Sequence, residues 1–410
     1  MWRVEAPHVL AALLRRHGDF ASCEDAAQEA MLAASQQWPV DGVPDNPRGW
    51  LVRVAARRLI DRQRSETARR RREQIVAADP LAGSLTAERV EAPGRPTMFG
   101  DPAIDDTLHL LIVCAHPALR PSAQVALTLR SVAGLTTPQI AAAFLVPEAT
   151  MAQRIVRAKA MIMRDGKRLS NPTMDELPGR IHTVRHVLYL VFNEGYTTSG
   201  GGALVDVDLA DEAIRLAEHL HRVVPSDTET AGLLALMLLT HGRTPARTDG
   251  ADLVPLSMQD RTLWDRRLID RGTRLIEDAL PSGTVGPFQL QASIAAVHAE
   301  AATASATDWA QIVELYRMLD RVAPSPVVTL NKAVAVGMAD GAEAGLAVLA
   351  PLLADSPHPT HRVHATHAHL LELAGEVDGA LAAYRRAASL TNSIPEQRYL
   401  NHRAIAIEGQ

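Results

Sequence analysis

Apolar residues recur every three to four positions along most of this chain, which is the spacing of amphipathic α-helices. Val9, Leu10, Leu13 and Leu14 show this spacing near the start of the sequence. Few segments alternate apolar and polar residues with a period of two, the pattern of a half-buried β-strand. Aromatic residues, which favour strands, make up only 4% of the chain. The pattern therefore predicts an all-α protein.

The first third of the chain shows clear helix boundaries. A helix from Glu24 to Gln37 is expected to end at Trp38-Pro39, and a loop from Val40 to Asp45 follows. The next helix is capped at Asn46, with Pro47 in its first turn, which are the positions that these residue types favour. Six apolar residues of this helix fall near helical spacing and are expected to pack inward: Trp50, Leu51, Val54, Ala55, Leu59 and Ile60.

The remaining surface of this helix is dominated by arginine. Ten arginines lie between Arg48 and Arg72, against two acidic residues, so this stretch carries a net charge of +8. A helix with an apolar inner side and an arginine outer side can follow the phosphates of a nucleic acid. The alternative is an ordinary solvated basic surface.

A second helical unit follows a change in composition. Residues 75–103 are rich in small residues, proline and glycine, which is typical of a linker. Beyond it we expect helices over Ile104–Cys114 and Pro121–Val132, then a short helix capped by Thr137, and a longer basic helix over Glu148–Met163. The last two have the spacing of a helix-turn-helix, whose second helix can enter the DNA major groove.

Six positions at the start of the longer basic helix could reach base edges. We call them the recognition face: Glu148, Ala149, Ala152, Gln153, Arg154 and Arg157. Gln and Arg can form paired hydrogen bonds with adenine and guanine edges, which is how sequence is read. Three-helix units are common, so this spacing by itself also fits a unit with no DNA role.

Helices are predicted throughout residues 175–400, interrupted by a glycine-rich break at Ser199–Gly202 and by a loop around Gly242 to Gly250. Helix pairs begin near Gln289, Val327 and Arg362, a spacing of about 36 residues that is close to the tetratricopeptide period. Gly375 is expected to make the turn of the last pair. Ordinary antiparallel helical hairpins would give a similar pattern.

Composition and charge narrow the functional classes. The chain has 410 residues, enough for two or three domains. Residues 1–165 carry a net charge of +3 and residues 166–410 a net charge of −8, so the second part is not expected to bind nucleic acid. Two cysteines, Cys23 and Cys114, fit reduced buried thiols. Without a signal peptide or an apolar span, the protein is expected to be cytoplasmic and to make no membrane contact.

The sequence offers only weak candidates for catalysis or metal binding. Cys114 with His116 lacks a second pair of metal ligands. Glu194, in the segment Asn193–Tyr196, has no accompanying nucleophile or metal motif and fits a helix end with glycine. The histidines near the last helix pair, His361, His364, His367 and His369, with Glu372, complete no known ligand spacing. We therefore expect no catalytic residue, no metal site and no cofactor.

Three motifs in the right order resemble a known family. The segments Ser22–Pro39, Asn46–Arg64 and Leu119–Ile162 are similar to region 2 and region 4 of RNA polymerase sigma factors of the extracytoplasmic-function type, within the sigma-70 family. The resemblance implies an alternative sigma factor that binds core RNA polymerase, recognises −10 and −35 promoter elements and initiates transcription. It further implies two small sigma helical domains.

The resemblance also implies roles for individual residues. Four residues of the first motif would bind core polymerase; we call them the acidic surface: Glu24, Asp25, Gln28 and Glu29. The loop ending at Asn46 would hold a flipped −10 base. Five arginines would hold the DNA strand; we call them the arginine face: Arg53, Arg57, Arg58, Arg62 and Arg64. The recognition face would read the −35 element, although Pro147 stands where many members have a capping hydroxyl residue.

The rest of the chain resembles a subgroup with a long extension. The segments Val187–Thr197, Gln259–Ile269, Gly286–Ala301 and Ser325–Val336 are similar to a C-terminal tetratricopeptide-like, helical-repeat domain. In this subgroup the extension modulates activity, and it could bind a regulatory protein. The predicted domains are region 2 over 1–74, a flexible linker over 75–103, region 4 over 104–170 and the extension over 171–410. The alternative is a stand-alone helix-turn-helix transcription regulator with a helical-repeat sensor domain.

Overall fold

The computed structural model confirms that the protein is all-α. It describes residues 2–17, 20–77, 105–144, 146–164, 172–200, 202–250, 252–354 and 360–409. Within these ranges there are eighteen α-helices and one hairpin of two very short strands. Most of the predicted linker, from residue 78 to residue 103, lies outside the described residues, whereas residues 75–77 belong to a helix.

The described chain forms two compact units, residues 1–187 and residues 188–410. The first eight helices are α1 (Trp2–His17), α2 (Phe20–Asp41), α3 (Pro47–Ala77), α4 (Asp106–Cys114), α5 (Pro121–Ser131), α6 (Thr137–Ala143), α7 (Glu148–Arg164) and α8 (Leu177–Tyr196). The division between the units falls within α8.

The second unit is a succession of helices with one hairpin. Its helices are α9 (Val207–Val223), α10 (Thr228–His241), α11 (Arg266–Ala279), α12 (Pro287–Glu300), α13 (Trp309–Val322), α14 (Pro326–Asp340), α15 (Ala342–Ala354), α16 (His361–Leu373), α17 (Val377–Leu390) and α18 (Ile394–Glu408). Strands β1 (Thr248–Asp249) and β2 (Asp252–Leu253) pair antiparallel within what the sequence predicted to be a loop.

Helix α3 packs on α1 and α2 through one stripe of apolar residues. Leu51, Ala55 and Leu59 are fully buried, four residues apart, which is one face of a helix. Trp50 stacks edge-on against Trp38, with ring centroids 5.5 Å apart. Ile60, which the sequence placed inside, is 40% exposed. It follows Leu59 by one position, and one position turns a side chain about 100° away from the buried stripe.

Several predicted boundaries are wrong by a few residues, among them the start of α2, which lies at Phe20 and not at Glu24. Helix α2 continues through Pro39 to Asp41, although Pro39 cannot donate to the carbonyl of residue 35 as a helical residue would. The helix ends instead at Gly42, which has a φ of +86° and donates its N–H to the carbonyl of Trp38. Helix α6 is capped by Thr136 rather than Thr137, because Thr136 forms a reciprocal capping box with Gln139.

Arg180 of α8 ties that helix to α4. It is only 2% exposed, and it donates to the carbonyls of Ile112 and Val113 at 3.3 and 3.5 Å. These carbonyls are among the last of α4, where a helix has no partners of its own and where a cation is favoured. Arg180 also pairs with Glu176 at 2.7 Å, and its hydrogen bond lowers the pKa of that carboxyl. The start of α8 is therefore part of the first unit.

In the second unit, two buried arginines bond the last carbonyls of helices in the same way. Arg247 donates to the carbonyl of Tyr196 at the end of α8 and lies over the ring of that residue. Arg261 donates to the carbonyls of His298 and Ala301 at the end of α12, both at 2.6 Å. Each guanidinium satisfies carbonyls that a buried helix end would leave without a donor.

The predicted helix pairs are present in the second unit. They begin at Pro287, Pro326 and His361, each within two residues of the position predicted from the sequence. Gly375 makes the turn of the last pair with a φ of +79°, as expected. Helices α14 and α15 approach closely at Gly345, where an added Cβ would lie 2.7 Å from the carbonyl oxygen of Ala333. A larger residue there would force the pair apart.

Candidate functional site

The start of α3 has the predicted cap. The side-chain oxygen of Asn46 accepts the N–H of Gly49 at 2.8 Å, so this exposed side chain fixes the entry of the helix. Arg48 pairs with Glu5 of α1 at 2.8 Å. At least one arginine of this helix therefore holds the helix in place instead of facing a ligand.

All five residues of the arginine face are exposed. Arg53, Arg57 and Arg64 lie opposite the buried stripe of Leu51, Ala55 and Leu59, whereas Arg62 follows Leu59 by three positions and lies on the side of the stripe, beyond its end. Arg62 differs from the others, because it pairs with Asp25 at 2.7 Å and with Glu29 at 3.3 Å. The hydrogen bond with Asp25 raises the pKa of Arg62. The side chains from residue 66 to the end of α3 lie outside the described residues.

The acidic surface is divided between exposed and buried residues. Asp25, Gln28 and Glu29 are exposed, whereas Glu24 is 3% exposed. Gln28 donates to one carboxylate oxygen of Glu24 at 3.1 Å. The ammonium of Lys159 in α7 lies 2.7 Å from the other oxygen, and the hydroxyl of Ser131 at the end of α5 donates to Glu24 at 3.1 Å.

Sequence reasoning missed these two partners of Glu24. The sequence gives Lys159 no role beyond the basic character of the helix over Glu148–Met163, and it gives Ser131 none. They lie more than 100 residues from Glu24 in the sequence, and nothing in local spacing or charge pattern marks a contact of that range. Only the packing of the helices brings them together.

The helix-turn-helix is present, and its recognition face is open. Helix α7 packs on α5 and α6 through Met151, Ile155 and Ala158, which are buried. The residues of the recognition face are exposed, except that Arg154 is half-buried over the ring of Phe144 at 5.6 Å. The amino-terminal half of α7 can therefore meet a groove without rearrangement of the unit.

The weak catalytic candidate, Glu194, makes local contacts that a structural residue would make. It is buried and accepts the N–H and the hydroxyl of Ser199 at 3.2 and 3.1 Å. Asn193–Tyr196 forms the last turn of α8, so the helix end with glycine that the sequence indicated is present. An added Cβ on Gly195 would lie 2.5 Å from the backbone nitrogen of Ala210, so this glycine allows α9 to approach α8.

The four histidines near the last helix pair, and Glu372 beside them, also show the contacts or the burial of structural residues. His361 pairs with Glu396 at 3.3 Å. Glu372 pairs with Arg403 and accepts the hydroxyl of Tyr384 at 2.7 Å. Burial lowers the pKa of His364, His367 and His369. Among the described residues, no group of three or more His, Cys, Asp and Glu side chains is arranged to hold a metal ion.

In the described parts of the chain, none of the helices combines the length and the apolar character needed to cross a bilayer.

Comparison with protein families divides the chain into three matched segments. Sigma-70 region 2 matches residues 1–69, and sigma-70 region 4 matches residues 109–162. A family of unknown function, DUF6596, matches residues 180–280. The region 2 match contains the acidic surface and the arginine face, and the region 4 match contains the recognition face.

Two relatives differ in how much of the chain they share. An uncharacterized protein of Rhizobium meliloti, R00370, is 41% identical over 395 residues, which are 96% of this chain and 92% of that protein. The probable ECF RNA polymerase sigma factor SigI of Mycobacterium tuberculosis is 30% identical over 161 residues, 39% of this chain and 52% of that protein. The chain therefore spans about half the length of SigI. No solved structure matches the chain.

Proposed function

We propose that this chain, which belongs to the extracytoplasmic-function type of the sigma-70 family, is an alternative sigma factor. It binds core RNA polymerase, recognises a promoter with −10 and −35 elements and helps to open it. The polymerase performs the chemistry, and the sigma factor supplies no catalytic residue and no cofactor.

The observation that carries this proposal is the two-sided character of α3. Its apolar stripe is buried in the helical unit, while Arg53, Arg57 and Arg64 of the arginine face are exposed along the opposite side. Guanidinium groups in a row suit the phosphates of a separated DNA strand. Asn46 already caps α3 with its side chain, so a contact with a flipped −10 base would use the loop that it anchors.

The recognition face supports the second half of the promoter assignment. Its residues lie at the exposed start of a second helix in a helix-turn-helix, where contacts with base edges are made. Arg154 is placed by its stacking on Phe144, which limits the rotamers it can adopt. A guanidinium held in this way can form a paired contact with guanine.

We further propose that the second unit is a tetratricopeptide-like scaffold that modulates the sigma domains and binds a regulatory protein. The regular helix pairs from α12 to α17 support this proposal. The R00370 protein matches 96% of this chain, so the extension is not peculiar to it.

In vitro transcription with purified core polymerase tests the proposed function. The full chain should direct initiation at its own promoter, and failure to bind core would contradict the proposal. A gel shift with and without core separates it from a stand-alone regulator, which would bind duplex promoter tightly without polymerase.

A truncated chain would report the role of the extension, and the structure limits where the cut can be made. Deleting everything after residue 175 would remove Arg180, which closes the end of α4. It would also remove Thr183, whose hydroxyl donates to Gln124 at 3.0 Å. A truncation that retains residues 1–200 keeps these contacts and isolates the effect of the extension on transcription.

A further inference from the structure

Glu24 is a buried carboxylate whose cation comes from a distant part of the chain. Lys159 lies 2.7 Å from one oxygen of Glu24, and the hydroxyl of Ser131 donates to the other. Both partners belong to the region 4 match, whereas Glu24 belongs to the region 2 match. A buried carboxylate is tolerated only when it is paired and hydrogen-bonded, so region 4 supplies what makes this position possible.

Other contacts bring α4, most of which belongs to the region 4 match, close to the region 2 match. His8 of α1 lies 3.8 Å from the carboxylate of Asp106, at the start of α4. Cys114, at the end of α4, is fully buried, and the nearby charge of Glu24 adds to burial in raising the pKa of that thiol. Glu24 is therefore surrounded by residues of α4, α5 and α7.

The exposed part of the acidic surface is also paired within the chain. Asp25 and Glu29 both accept from the guanidinium of Arg62. Each of the three carboxylates of the acidic surface therefore faces a cation of this same chain. Cations are also what these carboxylates would meet on a basic polymerase surface, so the internal partners occupy the positions of the external ones.

We propose that region 4 and core polymerase compete for Glu24, the buried member of the acidic surface, so that the free protein is closed over Glu24 and binding to core requires the Glu24–Lys159 pair to open. This inference rests on the proposed function. Glu24 is 3% exposed in the closed arrangement and cannot contact a second protein there. A core-binding state therefore has to separate α2 from the ends of α5 and α7.

The competition predicts that weakening the closed form strengthens core binding. The apparent dissociation constant of a protein that binds only when open is the intrinsic constant divided by the open fraction. Lys159→Met leaves Glu24 buried without its cation, which disfavours the closed form. We expect the apparent affinity for core to rise about tenfold, within the limit set by a fully open protein. Ser131→Ala removes one hydrogen bond and should give a smaller rise in the same direction.

The experiment measures binding of the full chain to fluorescently labelled core polymerase without DNA, so that contacts of α7 with a promoter do not enter. Arg120→Met is the matched control, because Arg120 is an exposed cation of the same region that caps no helix with its side chain. It should leave the affinity unchanged. Thermal unfolding followed by circular dichroism checks that each variant is folded.

The outcomes distinguish the proposed competition for Glu24 from the proposed sigma-factor function. If wild type directs transcription but Lys159→Met and Ser131→Ala bind core no more tightly than wild type, the competition is refuted and the sigma function stands. If wild type does not bind core at all, both fail. Should Lys159→Met unfold, Ser131→Ala decides: an affinity equal to or weaker than that of wild type overturns the proposal.

Discussion

Arg58 and Arg62 should differ in how they contribute to holding the DNA strand. Both are exposed on α3, one turn apart. Arg58 makes no ion pair with any side chain that the structure describes, whereas Arg62 already pairs with Asp25 and Glu29. We therefore expect Arg58→Ala to remove a full phosphate contact and Arg62→Ala to remove less, because the charge of Arg62 is compensated before DNA arrives.

The magnitude follows from the release of counterions. Each phosphate of a single strand that is neutralised contributes about −0.7 to the slope of log K against log salt concentration. Loss of one contact at Arg58 should make the slope less negative by about 0.7. Between 50 and 200 mM salt, the deficit of Arg58→Ala relative to wild type should therefore shrink roughly 2.5-fold. For Arg62→Ala the change in slope should be clearly smaller.

The assay is a salt titration of binding to a forked promoter fragment by polymerase reconstituted with the full chain. Arg321→Ala, which removes an exposed arginine from α13 in the second unit, is the control and should not alter the slope. Phosphates carry no sequence information, so the effect of Arg58→Ala should be the same at every promoter. Equal slope changes for Arg58→Ala and Arg62→Ala, or a loss at selected promoters only, would refute the reasoning.

Three further predictions concern specificity, packing and pH. Arg154→Ala should change the preference among −35 variants by about 1–3 kcal/mol, measured by competition binding, and an equal loss for all variants would argue against a base contact. Arg180→Met should destabilise the first unit by about 3 kcal/mol, because the carbonyls of Ile112 and Val113 lose a buried donor; hydrogen exchange in α4 should accelerate, and unchanged exchange would contradict this. Burial lowers the pKa of His298 to about 4, so between about pH 6.5 and pH 4 only the unfolded chain takes up the proton and stability falls as the pH falls. His298→Gln should remove roughly 2–3 kcal/mol of that pH dependence in denaturant titrations, and an unchanged dependence would exclude this origin.

Much of the fold could be predicted because it depends on residues that are close in the sequence. The spacing of apolar residues predicted the buried stripe of α3 and the starting points of the helix pairs in the second unit. The residue type at Asn46 predicted the cap of α3. The misplaced helix boundaries have local causes that the spacing of apolar residues does not report. Pro39 is tolerated in a last turn, and Thr136 competes with Thr137 for the cap because Gln139 completes a box with only one of them.

The residue types of the candidate site could be predicted from the sequence, but the partner of each charged side chain could not. The sequence by itself determined that α3 carries arginines outside its apolar stripe, that α2 carries acids, and that a second helix of a helix-turn-helix follows. Only the tertiary structure decided that Arg62 forms ion pairs with Asp25 and Glu29, and that Glu24 is buried against Lys159. The physical reason is that helical periodicity specifies which side of each helix is polar, whereas the partner of a polar group depends on which helices pack together.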